Sequence, residues 1–208
     1  MALLEEISAQ LQAGKVKDVK ALVQQALDEG IAAGDILEKG LLDGMGVIGE
    51  KFKNNEVFVP EVLIAARCMN KGTEILRPYL VQDGVEGKGT VVIGTVSGDL
   101  HDIGKNLCRM MMEGKGLKVI DLGTDVSAEK FVEAARENAA DVIALSALLT
   151  TTMPVMKSVV EAVKAAGLST KVMIGGAPVT QAFCDEIGAD FYSEDATSCA
   201  EGAVALIG

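Results

Sequence analysis

One short polar segment of the chain, residues 97–107, combines the residue types that could bind a metal ion. It reads SGDLHDIGKNL and contains His101, the single histidine of the 208 residues. Asp99 lies two positions earlier and could accept a hydrogen bond from one ring nitrogen while the other faces a metal. A lone histidine can also be incidental, so this interpretation depends on where the fold places the segment.

The same segment has the glycines and the lysine of a phosphate-binding loop, but their spacing does not fit. Five residues rather than four separate Gly98 from Gly104. Asn106 follows Lys105 where Ser or Thr should bind magnesium. The two aspartates of the segment would also repel a phosphate. The sequence therefore does not predict a P-loop.

A zinc or iron site built only from protein ligands is not predicted either. One histidine cannot complete the usual ligand sets. The cysteines are scattered without a C-x-x-C pair; they are Cys68, Cys108, Cys184 and Cys199. A metal ion at His101 must therefore arrive with most of its ligands already attached.

The N-terminal part of the chain has a helical pattern. Apolar residues recur at three- and four-residue steps from residue 2 to about 80, which predicts four helices. Asp18 and Asp35 are predicted N-caps. Pro60 suits the first turn of a last helix that runs toward Arg77-Pro78.

A change of composition predicts the domain boundary. Residues 81–89, VQDGVEGKG, are rich in glycine and charge and have no apolar period, which indicates a linker. We therefore expect a helical cap domain at 1–85 and a second domain at 90–208.

After this linker, short β-branched runs alternate with amphipathic helices, the pattern of βα units. The runs are TVVIGTV at 90–96, KVIDLG at 118–123, DVIALSA at 141–147, KVMIGG at 171–176 and ADFYS at 189–193. The fold class is therefore predicted as α/β, a four-helix cap followed by a flavodoxin-like or Rossmann-like five-stranded parallel sheet. Ligands bind beyond the carboxyl ends of such strands, where residues 97–107 follow the first run.

Composition narrows the possible partners. The net charge of −11 would repel nucleic acid and anionic lipid. No apolar run approaches the length of a membrane span, and Glu5 and Glu6 stand where a secretory signal would need basic residues. We therefore expect a cytoplasmic protein that binds neither nucleic acid nor membranes.

Three sequence motifs, in chain order, resemble the cobalamin-binding module of methionine synthase and of the methyltransferase corrinoid proteins. They are Asp99-x-His101-x-x-Gly104, Ser146-x-Leu148 and Gly175-Gly176. The N-terminal half resembles the helical cap of the same proteins through Asp43-Gly44-Met45 with Val47, Gly49 and Phe52, through Phe58-Val59-Pro60, and through Ala66-Arg67 with Met69.

The resemblance implies that His101 replaces the cofactor's own nucleotide base as the lower axial ligand of cobalt in cobalamin or a related corrinoid. Asp99 would orient the imidazole, and the nucleotide tail would enter a slot beside the sheet. Phe52 and Val59 would cover the upper face of the corrin, and Glu38 would lie near its rim. The implied cofactor-binding residues are Glu38, Phe52, Val59, Gly98, Asp99, His101, Asp102, Ile103, Gly104, Ser146, Leu148, Thr150, Gly175, Gly176 and Ala196.

Several of these residues also have a purely structural interpretation, which the sequence leaves open. Ser146 could end a strand, and Thr150 could cap the following helix. Gly175-Gly176 could form an ordinary tight turn. Phe52 and Val59 could be core residues, and Leu148 is expected to pack rather than to bind.

The resemblance implies a function as well. The chain would carry a methyl group on cobalt between a substrate-specific methyltransferase and an acceptor methyltransferase, with a reductive activator as a further partner, and would not be a complete enzyme alone. Two alternatives are the cobalamin-binding subunit of a radical mutase and a cobalamin-dependent sensor. The mutase would need a substrate barrel in the same or a partner chain, and the helical cap argues against it; the sensor would need an output domain. A flavodoxin-like domain without cobalt is a third.

Overall fold

A computed structural model of the chain describes residues 2–82 and 87–208. The predicted linker at 81–89 includes residues 83–86, which lie outside the described residues. The chain divides into two compact units, which are Met1–Gly87 with Gly114–Gly116, and Lys88–Glu113 with Leu117–Gly208. In neither described range is there a helix long and apolar enough to cross a membrane.

The first unit is helical, as predicted. Its elements are α1 (Ala2–Gln12), α2 (Val16–Asp28), α3 (Ala33–Asp35), a π-helical segment (Ile36–Leu42), α4 (Asp43–Lys53) and α5 (Val59–Gln82). The backbone stays helical from α3 through the π-helical segment into α4. The described part of this unit therefore has four continuous helical stretches, which is the predicted number.

The apolar residues that recur along the N-terminal sequence form the core of this unit. Fully buried side chains from every long helix meet in it, among them Ile7, Leu11, Val19, Val23, Ile36, Leu41, Met45, Ile48, Val62 and Leu76. Two glycines let the third stretch approach α1 closely. A Cβ on Gly40 would lie 3.1 Å from Cγ2 of Ile7, and one on Gly44 would lie 3.1 Å from Cα of Ser8.

Three predicted helix boundaries are wrong. Helix α2 begins at Val16, so Asp18 lies in its first turn rather than at its N-cap. Asp35 is already inside a helix, and its carboxylate accepts a hydrogen bond from Lys39 Nζ at 2.6 Å instead of capping. Helix α5 has Pro60 in its first turn, as predicted, but it continues through Pro78 to Gln82. Proline keeps a helical φ, so the helix can continue when one hydrogen bond is lost.

The second unit is a five-stranded parallel sheet, which confirms the predicted fold. The strands are β1 (Thr90–Thr95), β2 (Lys118–Asp121), β3 (Val142–Ser146), β4 (Lys171–Gly175) and β5 (Phe191–Ser193). The helices are α6 (Ile103–Gly114), α7 (Ala128–Glu137), α8 (Met153–Ala165), α9 (Gln181–Ile187) and α10 (Ala196–Ile207). The strand order β2-β1-β3-β4-β5 is that of flavodoxin-like sheets.

Alternation along the strands gives the two faces of the sheet different roles. One face packs against α7, α8 and α9 in an apolar cluster that includes Val92, Phe131, Ile143, Leu145, Met156, Val159, Val172 and Ile174. The last residues of four strands instead form a row of small and polar residues on the other face. They are Cα partners across the sheet, in the order Thr95, Ser146, Gly175 and Ser193, and we call them the polar row.

The packing of Phe131 predicts an effect on stability. A Cβ on Gly94 of β1 would lie 2.8 Å from Cζ of Phe131, whose ring is fully buried. Gly94→Ala should therefore lower the free energy of unfolding by about 1–3 kcal/mol, measured by urea denaturation. In a Phe131→Leu background, where the side chain is shorter, the same change should cost less. Equal costs in the two backgrounds would contradict this packing.

Candidate functional site

The turn from β1 into α6 holds the Asp99–His101 pair at the carboxyl edge of the sheet. Asp99 Oδ1 lies 2.6 Å from Nδ1 of His101, and the same oxygen accepts the His101 backbone N–H at 3.1 Å. The Asp99 side chain is fully buried, whereas that of His101 is 52% exposed. An ionised carboxylate only accepts, so Nδ1 carries the proton, and in the neutral ring Nε2 keeps its lone pair.

The second carboxylate oxygen of Asp99 is fixed by the turn after β3. Oδ2 accepts the backbone N–H of Leu148 at 2.7 Å and that of Leu149 at 3.2 Å. The buried Thr152 hydroxyl lies 3.1 Å from the same oxygen. Burial alone would raise the pKa of the Asp99 carboxyl, but these hydrogen bonds and those from His101 hold that pKa well below its usual range. The carboxylate is therefore ionised at neutral pH.

Sequence reasoning missed Thr152 and the two backbone amides. Thr152 lies 53 positions after Asp99, and only the pairing of β1 with β3 brings their turns together. Thr152 is also the N-cap residue of α8. A hydroxyl residue directly before a helical run could have indicated Thr152 from the sequence. The sequence instead indicated Thr150 as the residue that could cap this helix.

Exposed apolar side chains flank the histidine. Leu100 and Ile103 are 74% and 75% exposed, and Leu148 and Leu149 are 43% and 40% exposed. The Leu148 backbone amide binds Asp99, and its side chain is only partly covered by protein, so the prediction that it packs rather than binds stays a prediction. Asp99 joins the turn after β1 to the turn after β3, and both turns present exposed apolar side chains. Together these side chains form a surface that an apolar ligand would cover.

The other predicted residues of the first turn have distinct local roles. Gly98 has φ 83°, a left-handed conformation that favours glycine. Asp102 accepts a hydrogen bond from Asn106 Nδ2 at 3.0 Å, within the first turn of α6. Gly104 is the second residue of α6, and a Cβ built on it would meet no atom within 4 Å. Space beside this helix start is therefore open.

The predicted residues of the tail slot divide into two groups. Ser146 and Gly175 belong to the polar row, and a Cβ on Gly175 would lie 2.9 Å from Ser193 Oγ. Gly176 has φ 133°, and a Cβ there would overlap the carbonyl oxygen of Ala147, so its glycine is required by the fold itself.

The remaining predicted residues lie farther along the second unit or in the first. Thr150 is exposed in the turn after β3, and Ala196 is the buried first residue of α10. Glu38 is exposed on the π-helical segment, and Phe52 and Val59 are half-buried near the end of α4 and at the start of α5. Like the other predicted cofactor contacts, these five residues stay predictions.

A buried ion pair attaches α6 to the edge strand β2. Lys105 Nζ lies 2.6 Å from both carboxylate oxygens of Asp121, and Arg109 Nη1 lies 3.3 Å from Oδ2. The Lys105 side chain is only 2% exposed. Burial opposes ionisation of Asp121, but Lys105, the Gly123 amide and Arg109 lower its pKa. Lys105 is therefore occupied by a carboxylate and is not available as the lysine of a phosphate-binding loop.

Among the residues that the structure describes, no group of three or more His, Cys, Asp or Glu side chains could hold a metal ion. The site offers a single imidazole nitrogen.

Comparisons with known proteins match both units. A family model described as a B12 binding domain matches residues 89–200, and a second model with that description matches residues 3–77. The chain is 44% identical to a corrinoid protein of Desulfitobacterium hafniense, over 100% of this chain and 99% of the relative. It is 43% identical to dimethylamine corrinoid protein 1 of Methanosarcina acetivorans, over 99% and 97% of the two chains.

A solved structure is similar over nearly the whole chain. It is the methanol:cobalamin methyltransferase complex of Methanosarcina barkeri, with a TM-score of 0.90 and 31% identity. The match covers 99% of this chain and 80% of the matched chain.

The buried ion pair predicts a second effect on stability. Lys105→Met would leave the Asp121 carboxylate with the Gly123 amide and the more distant Arg109 but no close cation, so the free energy of unfolding should fall by about 3 kcal/mol. Lys130→Met, at an exposed position of α7, is the matched control and should change it by less than about 0.5 kcal/mol. Equal effects of the two changes in urea denaturation would contradict the assignment.

Proposed function

The chain belongs to the B12-binding family of corrinoid proteins, and from that premise we propose that it carries a methyl group between two methyltransferases. It binds cobalamin or a related corrinoid. Similarity to corrinoid proteins over the full length favours this function over a radical-mutase subunit or a sensor. When bound, the corrinoid supplies a cobalt ion that takes up and gives away the methyl group.

The proposal rests on the exposed imidazole of His101, which is hydrogen-bonded to the buried carboxylate of Asp99. We propose Nε2 of His101 as the lower axial ligand of cobalt. Asp99 would hold the Nδ1–H tautomer, so that the lone pair of Nε2 stays directed to a metal, and would stabilise positive charge on the ring. The exposed side chains of Leu100, Ile103 and Leu148 fit the apolar underside of a macrocycle.

The second part of the proposal concerns the nucleotide tail. An imidazole in the lower axial position requires the cofactor's own base to lie elsewhere. The open space at Gly104, the small side chain of Ser146 and the absence of a side chain at Gly175 support a slot between α6 and the sheet. Thr150 and Ala196 are proposed tail contacts, while Gly98, Asp102 and Gly176 are proposed to shape the turns around it.

The helical unit is proposed to cover the methyl-bearing face of the corrin. Phe52 and Val59 would lie over that face and Glu38 near its rim. The division into domains at 1–85 and 90–208 is part of the same proposal, because a cap must be able to leave that face open to each partner.

The proposed partners are a substrate-specific methyltransferase, an acceptor methyltransferase and a reductive activator that restores the cofactor after oxidation. Two similar proteins are named for dimethylamine and methanol. A small methylated compound is therefore the proposed methyl donor. The cytoplasm is the proposed location.

Replacing the histidine tests axial ligation. His101→Ala should keep the fold, seen by circular dichroism, and should weaken retention of added aquocobalamin at least about ten-fold in equilibrium dialysis. The corrinoid that remains bound should have the visible spectrum of cobalamin with its own base on cobalt. A Lys130→Ala variant should behave as the wild type. An unchanged affinity and spectrum in His101→Ala would refute the assignment.

A graded series at Gly104 tests the slot. Because a Cβ there meets no protein atom, Gly104→Ala and Gly104→Leu should fold at least as stably as the wild type. Leu would fill the proposed slot and should reduce cobalamin binding at least about ten-fold, whereas Ala should have a small effect. Undiminished uptake by Gly104→Leu would count against tail insertion at this position.

A further inference from the structure

Asp125, in the loop between β2 and α7, has a strained backbone. Its φ is 55°, in the left-handed region that residues with a Cβ seldom adopt. The residue is exposed, so buried apolar surface does not offset the strain. Glycine would adopt this conformation freely, as Gly123 does two positions earlier with φ 82°. What an aspartate has here that glycine lacks is its carboxylate.

Among the residues that the structure describes, the hydrogen-bond partners of Asp125 lie in the turn that leads to the histidine. Its Oδ1 accepts the backbone N–H of Gly98 at 2.7 Å and the hydroxyl of Ser97 at 2.9 Å. Its own backbone N–H donates to the carbonyl oxygen of Asp99 at 3.1 Å. The Gly98 amide and the Ser97 hydroxyl lower the pKa of Asp125, so the carboxylate that accepts them is ionised at neutral pH. One residue thus bonds to three consecutive residues of the β1–α6 turn.

This turn determines where the Asp99 carboxylate lies. Gly98 is itself in the left-handed region, so the chain reverses sharply just before Asp99. On the far side, Asp99 is bonded to the turn after β3 through Leu148 and Thr152. Asp125 holds the near side from the turn after β2. The carboxylate is therefore fixed between two neighbouring turns of the sheet.

The imidazole depends on this arrangement because little else holds it. The ring of His101 is half exposed, and within the described ranges Asp99 is its one hydrogen-bond partner. The backbone of the residue is also bonded, through its N–H to Asp99 Oδ1 at 3.1 Å and through its carbonyl oxygen to Thr95 Oγ1 at 2.8 Å. Neither of these two bonds holds the ring. A small displacement of Asp99 would therefore be transmitted directly to the ring.

We propose that Asp125 is a positioning residue for His101, which braces residues 97–99 so that Asp99 keeps the imidazole in the orientation that binds cobalt. This inference rests on the proposed axial ligation. Asp125 acts through Gly98 and Asp99 and does not itself touch the cofactor.

The test uses the full chain loaded with cobalamin and reduced to the Co(II) form, with electron paramagnetic resonance as the readout. His101 is the single histidine of the sequence, so growth on ¹⁵N-histidine labels one imidazole if the purification tag contains no histidine. A ¹⁵N ligand splits the cobalt lines into doublets, whereas the ¹⁴N base of the cofactor gives triplets. The doublet fraction therefore reports ligation by His101 without any assay of activity.

Three variants separate positioning from stability. Asp125→Gly removes the acceptor and also the backbone strain, so it should fold normally while the ratio of ligated to unligated His101 falls about five-fold. Asp125→Asn tolerates the left-handed conformation and keeps an oxygen acceptor, so it should resemble the wild type. Ser97→Ala removes one of the two donors and should give about a two-fold fall. Thermal unfolding of each variant is measured in parallel.

An unchanged doublet fraction in Asp125→Gly would overturn the inference, and so would an equal loss in Asp125→Asn. If Asp125→Gly unfolds, Ser97→Ala decides: a reduced doublet fraction at wild-type stability supports the inference, and an unchanged fraction overturns it. Absence of the doublet in the wild type would instead mean that the axial ligation itself fails, and the inference would fail with it. The two failures are therefore distinguishable.

Discussion

A buried carboxylate at the carboxyl edge of the sheet is the constraint on which the site depends. Removing an ionised carboxylate from water costs several kcal/mol unless hydrogen bonds replace the lost hydration. Asp99 receives them from its own turn, through the His101 ring and backbone, and from the turn after β3. Satisfying that one group therefore fixes both turns and, with them, the direction of the imidazole.

The rest of the second unit supports the fixed carboxylate of Asp99 and leaves the carboxyl edge of the sheet beside it open. One sheet face is filled by the apolar cluster around Phe131, which makes the strands rigid supports for the turns. The other face ends in the polar row, and a Cβ on Gly104, in the first turn of α6, would meet open space. Exposed apolar side chains, Leu100 and Ile103, flank the imidazole in sequence, although exposed apolar groups are unfavourable in water. These features are costly for an empty domain but suit one that is covered by the apolar face of a large ring bearing a polar tail.

The sequence alone predicts the parts of this arrangement that depend on neighbouring residues in the chain. Five β-branched runs alternating with helices predicted the sheet, and the two-residue spacing of Asp99 and His101 brought their side chains together within one turn. Contacts between turns that follow different strands could not be predicted from the sequence in the same way. Thr152, the Leu148 amide and Asp125 reach the site only because strand order and register align three separate turns. Helix starts at Asp18 and Asp35 were misjudged because an acidic residue favours the first turn of a helix as well as its cap.

The central claim is that His101 replaces the nucleotide base of the corrinoid on cobalt. A crystal structure of the chain loaded with cobalamin tests it most directly. The account predicts Nε2 of His101 within bonding distance of cobalt, Nδ1 still bonded to Asp99, and the nucleotide base away from the metal, beside Gly104 and the polar row. A structure in which the base remains on cobalt and the imidazole is turned toward solvent would contradict it.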